Sequence, residues 1–287
     1  MYEETSLGVV IPAYNEAGFI GDVIDSVPNY VSAVVVIDDH STDGTWEEIH
    51  EHIGDTRSRV TGETARKSRS DGGTRTMAAA EPPSEFDRRT VTVRHTTNRG
   101  RGAAIKTGYR IAQTMELDVV AVIDGDGQMD PAILDRIVDP VVNDEADYAK
   151  GDRLVSPRHC REMSRWRLFG NTLLTWLTRV ASGKWGVRDP QNGYTAISAE
   201  ALDAIAIEEL YEDYGFLNDL LIRLDANNME VADVAMQAVY SDETSGIRYR
   251  HFAPNLSLLL LRGFVWRLWY KYVASGQSDR PPHSQPS

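Results

Sequence analysis

The chain is short of several things that would each point somewhere definite. It has a single cysteine, Cys160, which excludes an intrachain disulfide or a cysteine-rich metal site and fits a reducing compartment. Basic residues are outnumbered, 30 against 43 acidic ones in 287, for a formal net charge of −13. General nucleic-acid binding needs a positive field over a sizeable face, so that class of function is excluded. The histidines show no ligand spacing beyond His50 and His52, and the acidic neighbours of that pair mark it as surface. The N-terminus has acidic residues, not basic ones, ahead of the short apolar run Leu7 to Ile11, so no signal peptide is expected. Internal repeats are absent.

What remains is the composition of a soluble protein with a real core, 41% apolar and 8% aromatic. The length suits one large α/β domain, or one domain with an appended segment. Excess carboxylate also keeps a surface soluble in strong salt, so a halophilic source is the expectation.

Residues 7–12, 32–38, 91–95 and 118–124 are β-branched, continuously apolar runs. That is the pattern of parallel strands covered on both faces. Residues 16–27, 43–53 and 100–116 carry helical spacing between them. Alternating strand and helix predicts a doubly wound open sheet, whose ligands sit beyond the carboxyl ends of the strands. Residues 55–89, rich in Arg, Ser, Thr and Gly, read as a disordered insertion. Further strands are expected in "ADYAKG" (146–151), "GYTAIS" (193–198) and "EVADVAMQAVY" (230–240).

The chemistry gathers at strand ends. "DVVAVIDGDGQMDP" (118–131) closes a strand with Asp124 and Asp126, two positions apart and separated by glycine. Carboxylates at i and i+2 on an extended chain project to one side. With the amide oxygen of Gln128 they make a hard-oxygen set suited to Mg²⁺ or Mn²⁺. The competing reading is a polar Asp-Gly turn. "VVIPAYNE" (9–16) and Asp38-Asp39 close the first two strands, and carboxylates converging on one crevice call for a compensating ligand. "NRGRGAAIKTGY" (98–109) adds glycines, cations and a helix start, which suits an anionic diphosphate. It lacks the third glycine of a dinucleotide fingerprint, which argues against a nicotinamide enzyme. The loop "IPAYNE" is not the glycine-rich, basic loop of a sugar-phosphate nucleotidyltransferase.

These four motifs, in this order, resemble the nucleotide-sugar-binding half of inverting family 2 glycosyltransferases. The D-x-D-x-Q form is similar to the branch of dolichyl- and polyprenyl-phosphate sugar synthases, and "GDR" (151–153) and "DPQNGYTAIS" (189–198) resemble it more loosely. The resemblance implies a GT-A fold over residues 1–250, with 1–131 binding the nucleotide sugar and 132–250 the acceptor. A helix at 251–274 and a disordered tail at 275–287 would follow. It implies that Pro12, Ala13, Tyr14, Glu16, Gly100 and Lys106 line the nucleotide, that Asp39 holds its base, and that Asp124 lies by the ribose and phosphates. Asp126 and Gln128, with Asp124, would hold the divalent cation, and Asp126 would serve catalysis through it.

The acceptor is less legible. Asp219, in "YGFLNDLLIRL" (214–224), is the candidate general base for a hydroxyl acceptor or a polar residue on an amphipathic helix. A phosphate acceptor is already ionised and needs arginines more than a base. Arg153, Arg158, Arg161, Arg165 and Arg167 cluster in an otherwise acidic chain, either for an anionic lipid phosphate or as a salt-bridged face. Ser245, Arg248 and Arg250 are further phosphate contacts by the looser resemblance. "NLSLLLLRGFVWRLWYKYV" (255–273) is broken by Arg262 and Arg267, so it reads as an interfacial or packing helix rather than a membrane span. The expected activity is metal-dependent transfer from a UDP- or GDP-sugar to a polyprenyl or dolichyl phosphate at the cytoplasmic membrane face. The alternatives are transfer to a glycan hydroxyl and an inactive sugar-nucleotide-binding module.

Overall fold

The computed structural model describes residues 2, 4–53, 89–153, 165–184, 186–213, 215–236 and 249–274, of which 165–173, 249–255 and 274 are described by their backbone alone. Of the expected insertion only Arg89 is described, and it opens a strand; Ser245, Arg248 and the tail lie outside the described residues.

Seven strands form one sheet in the order β3-β2-β1-β4-β6-β5-β7. They are β1 (Leu7–Ala13), β2 (Ala33–Asp38), β3 (Arg89–Arg94), β4 (Val119–Val122), β5 (Tyr148–Asp152), β6 (Thr195–Ser198) and β7 (Val231–Ala235). Strands β3, β2, β1 and β4 are mutually parallel, and β6 alone runs against its neighbours. The continuous apolar runs are explained by cover on both faces. Val10 packs with one helix layer, while Leu7, Val9 and Ile11 pack with the other. β3, at the edge, is only partly buried and carries Arg89, Thr90, Thr92 and Arg94 among its six residues, polar side chains that discourage further strand pairing.

Helices α1 (Ile20–Ser26), α2 (Thr45–Ile53) and α4 (Leu134–Val142) flank the sheet on the side of Leu7, Val9 and Ile11. On the side of Val10 lie α3 (Arg101–Thr114), α6 (Ala199–Ala204) and α7 (Phe216–Ala226). A third layer is built on α7 by α5 (Arg165–Ser182) and α8 (Tyr249–Trp269), through Ala181, Ile222, Leu256 and Leu260.

The antiparallel β6 has a consequence for function. Its register sets Thr195 opposite Val122, and Lys150 of β5 opposite Thr195. The start of β6 therefore lies beside the ends of β4 and β5. The segments 124–128, 151–153 and 189–193, far apart in the chain, open on one edge of the sheet.

Candidate active site

Strand β4 ends at Val122, two residues before Asp124, so the acidic turn begins just outside the sheet. Gly125 sits where a Cβ would come within 2.9 Å of Ile20, 3.2 Å of the Pro12 carbonyl and 3.3 Å of Ala13. Its N–H donates to the Pro12 carbonyl at 3.2 Å, which ties the turn to the end of β1. Gly127 has φ +71°, a left-handed conformation that glycine adopts without strain. The backbone thus folds back at once, and Asp126 Oδ1 accepts from Gln128 N at 2.9 Å.

Two carboxylates and one amide oxygen do not close a cation's shell. Among the described residues no cluster of three or more His, Cys, Asp or Glu side chains could do so alone. Such a donor set fits Mg²⁺ or Mn²⁺ completed by water and diphosphate oxygens.

Asp124 is already engaged. Arg101 Nε donates to its Oδ1 at 2.7 Å, and Arg101 Nη2 reaches the Gly193 carbonyl at 3.4 Å. A Cβ on Gly193 would lie 2.1 Å from that guanidinium and 2.9 Å from Asp124, so a side chain there would displace the Arg101–Asp124 pair. Burial opposes the charge of Arg101, but the Asp124 carboxylate outweighs it and raises the guanidinium's affinity for its proton. Arg101 was not among the expected site residues. The available signal was its place as the first residue of a helix that starts at the sheet edge.

Lys106, expected to line the nucleotide, is engaged within the protein. It lies five residues further along α3, about 140° around the helix from Arg101 at 3.6 residues per turn. Its side chain is 3% exposed, and Nζ donates to the carbonyls of Glu208 and Leu210 and to Glu212 Oε1, each at 3.0 Å. Three donors meet three protein acceptors. The hydrogen bond from Lys106, against the opposing effect of burial, holds the Glu212 carboxyl below its ordinary range; Arg99 adds to the effect.

The start of α3 differs from expectation in the same way. Asp39, 2% exposed, accepts from Arg99 N at 3.0 Å, Gly100 N at 2.6 Å and His95 Nδ1 at 2.7 Å. Ala103 N donates to the Glu212 carbonyl. These amides, which a helix start would offer to a diphosphate, are taken by the protein's own acceptors. Gly100, at φ +90°, and Gly102 serve close packing: a Cβ on Gly102 would lie 2.5 Å from the Glu212 carbonyl oxygen.

Of the other expected nucleotide contacts, Pro12 and Ala13 are the buried last residues of β1, Glu16 is half-buried, and Tyr14 is 44% exposed beyond them. The loop is laced to the one before α2. Asn15 N donates to Ser41 Oγ, Glu16 N to Thr45 Oγ1, and Thr42 N to Asn15 Oδ1.

On the acceptor side, Arg153 makes a two-pronged pair with the buried Asp189, at 2.7 and 3.2 Å. The following Gln191 donates to Asn218 of α7, which donates to Thr178 of α5, so the loop before β6 is held by both helices. Arg165 opens α5, and its side chain lies outside the description. Asp219 is 9% exposed; its Oδ2 accepts from Tyr211 N at 3.0 Å and pairs with Arg223 Nε at 3.3 Å. Arg223 also holds Glu209. The carboxylate expected to be a general base is therefore committed to anchoring the segment before α7.

Comparison with known proteins bears on this geometry. The family model described as glycosyl transferase family 2 matches residues 8–70 and 67–206. The chain is 24% identical over 235 residues to the UDP-N-acetylglucosamine--dolichyl-phosphate N-acetylglucosaminyltransferase of Methanococcus voltae, covering 82% of this chain and 86% of that one. It is 29% identical over 240 residues to the undecaprenyl-phosphate mannosyltransferase of Micrococcus luteus, covering 80% and 82%. Among solved structures, glucosyl-3-phosphoglycerate synthase from Mycobacterium tuberculosis, in complex with Mn²⁺, UDP-glucose and phosphoglyceric acid, superposes with a TM-score of 0.58. The alignment is 19% identical and covers 92% of this chain and 80% of that one. The shared architecture is the GT-A fold.

Proposed function

Because the chain belongs to glycosyl transferase family 2, we propose that it transfers a sugar, with inversion, from a UDP- or GDP-sugar to a polyprenyl or dolichyl phosphate. One observation carries the reading. The Asp124–Asp126–Gln128 turn, Arg101 and the Arg153–Asp189 pair, drawn from both halves of the chain, open on one edge of the sheet.

In this reading a phosphate oxygen of the acceptor attacks the anomeric carbon of the sugar, and the bond from that carbon to the nucleoside diphosphate breaks. Asp126 and Gln128, with Asp124, would hold Mg²⁺ or Mn²⁺, which when bound would supply positive charge for the departing diphosphate. Arg101, at the same carboxylate, supplies a second positive charge beside that diphosphate. Tyr14 and Glu16 face the nucleotide from the β1 loop, and Asp39, immobilised by His95 and two amides, forms the floor under its base. Arg153, oriented by Asp189, receives the acceptor phosphate, with Arg165, Ser245 and Arg248 as further contacts.

A lipid phosphate is favoured over a glycan hydroxyl because Asp219 is tied up by Tyr211 N and Arg223. An ionised phosphate needs no base. The two relatives named above are transferases to dolichyl and undecaprenyl phosphate, which supports the same acceptor chemistry here. Such an acceptor places the enzyme at a membrane surface, and nucleotide-sugar supply places it on the cytoplasmic face.

The test incubates purified protein and Mg²⁺ or Mn²⁺ with radiolabelled UDP- and GDP-sugars, with polyprenyl phosphate present or omitted, in detergent. Label entering the organic phase only with the lipid phosphate is the expected result. Transfer to a glycan acceptor in its place would overturn the acceptor assignment.

A further inference from the structure

Helix α8 is apolar on two opposite sides. Leu256 and Leu260 are buried against Ala181 of α5 and Ile222 of α7, and Gly263 fits where a Cβ would lie 2.5 Å from Ile222. Further along that side, Arg267 and Lys271 reach Asp225 at 2.8 and 3.0 Å. The other side carries Leu258, Leu261, Val265 and Trp269, continued by Tyr272 on the π-helical turn Tyr270–Ala274, each 55 to 78% exposed. Their spacing of three, four, four and three residues is one continuous helical stripe. A helix apolar all round is ordinarily buried all round, and an exposed stripe of this kind marks an interaction face.

Charge says what covers it. Neither α5 nor α8 has a single Asp or Glu, although the chain carries 43 acidic residues. Arg262, exposed beside Leu261 and Val265, makes no ion pair among the described residues. An all-cationic, tryptophan- and tyrosine-bearing helix on an otherwise acidic protein is complementary to an anionic lipid surface. In a two-fold dimer the same cationic helix would face its own copy, so like charges would meet. No described helix is long and apolar enough to cross a bilayer, so the contact would be parallel to the surface. Leu259 of α8 packs where a Cβ on Gly215 would lie 2.0 Å from it, and Gly215 begins α7 just after the Glu212–Asp213 backbone against the start of α3. The helix that carries the stripe thus packs beside the segment that covers the start of α3.

We propose that the Leu258–Tyr272 stripe of α8 is a docking surface for an anionic bilayer, lying flat on it and presenting the crevice to acceptors in the membrane. The choice of a bilayer rests in part on the lipid-phosphate reading above.

The experiment measures sedimentation of the full chain with phosphatidylcholine vesicles, with and without about a third phosphatidylglycerol as the anionic component. The vesicles contain no polyprenyl phosphate. Wild type should partition to the anionic vesicles. L261E and W269E, each altering an exposed residue, should lose about tenfold or more of that partition. Arg262→Glu should erase most of the preference for anionic over neutral vesicles. Thermal melting by circular dichroism verifies that each variant is folded. Equal partition of L261E, W269E and wild type would overturn the proposal, as would no partition at all. A dimer in light scattering that L261E converts to monomer, without vesicle binding, would assign the face to a second copy. Failure of docking with transfer intact in detergent would leave the acceptor reading standing, and the reverse result would leave the docking surface standing.

Discussion

Arg101 Nε lies 2.7 Å from Asp124 Oδ1, joining the first residue of α3 to the first carboxylate of the acidic turn after β4. Their side chains are 37% and 21% exposed, so the pair is reachable by ligand yet partly shielded from water. Arg101 compensates in advance the negative charge that a cation would otherwise neutralise. A cation held at Asp124 would share that carboxylate with the guanidinium, and each would sense the loss of the other.

Arg101→Ala should leave Asp124 uncompensated. For a half-exposed pair the stability cost is about 1 kcal/mol. Transfer should fall about ten- to a hundredfold if Arg101 stabilises the leaving diphosphate. The thermal upshift produced by Mn²⁺ alone should be larger in the variant than in wild type, because the cation then meets a bare carboxylate. Differential scanning fluorimetry with and without Mn²⁺ measures this; an unchanged or smaller upshift would count against the shared-carboxylate argument.

Asp126→Ala should abolish metal-dependent transfer, by about a hundredfold or more, while the fold survives. Asp126 is only half-buried, and its carboxylate accepts from the nearby Gln128 N. Calorimetry of nucleotide binding with and without Mn²⁺ should show the metal-dependent increment gone. Full activity in the variant would remove Asp126 from the cation site.

The Lys106–Glu212 pair predicts an acid limb in stability. Glu212 is held below its ordinary value of 4.5, first by the hydrogen bond from Lys106. A carboxyl lowered in the folded state contributes stability above 4.5 and loses it as pH falls through its depressed folded value. Urea unfolding should therefore weaken below about pH 4.5, and Lys106→Met should flatten that part of the decline. The substitution also strands two carbonyls and a carboxylate, at a cost of about 2–4 kcal/mol. The donor KM of folded Lys106→Met should stay within about threefold of wild type, since the ammonium touches no ligand in this arrangement. A large KM change with little loss of stability would return Lys106 to the diphosphate.

Asp219→Asn tests the acceptor assignment from the opposite direction. It should cost about 1–2 kcal/mol through the weakened Tyr211 and Arg223 contacts and reduce kcat less than about tenfold. General-base catalysis is worth about a hundred- to ten-thousandfold. A kcat loss of that size at unchanged stability would make Asp219 the base for a hydroxyl acceptor.

Much of the nucleotide half could be read directly. The buried runs of β1, β2 and β4 had to be parallel strands covered on both faces, and their ends had to share an edge. The acidic turn of Asp124, Asp126 and Gln128 was legible because it is one contiguous segment at a strand end. Lys106 rather than Arg101 was picked from the start of α3 for the opposite reason. Composition placed cations at the start of α3 without saying which side of the helix would be covered. That depended on Glu208–Glu212 returning from about a hundred residues away to accept from Lys106. The surroundings of Asp219 were illegible in the same manner, since its partner Tyr211 N is a backbone group with no sequence signature.

By itself the sequence determined the doubly wound sheet, the acidic turn and the family resemblance, because these follow from strand patterning and contiguous motifs. Only the tertiary structure decided which polar groups remain available to a ligand. Buried donors and acceptors must be paired. In this chain those pairings commit Lys106, Gly100 N and Asp219 to the protein while leaving Arg101 beside Asp124 and one apolar side of α8 exposed.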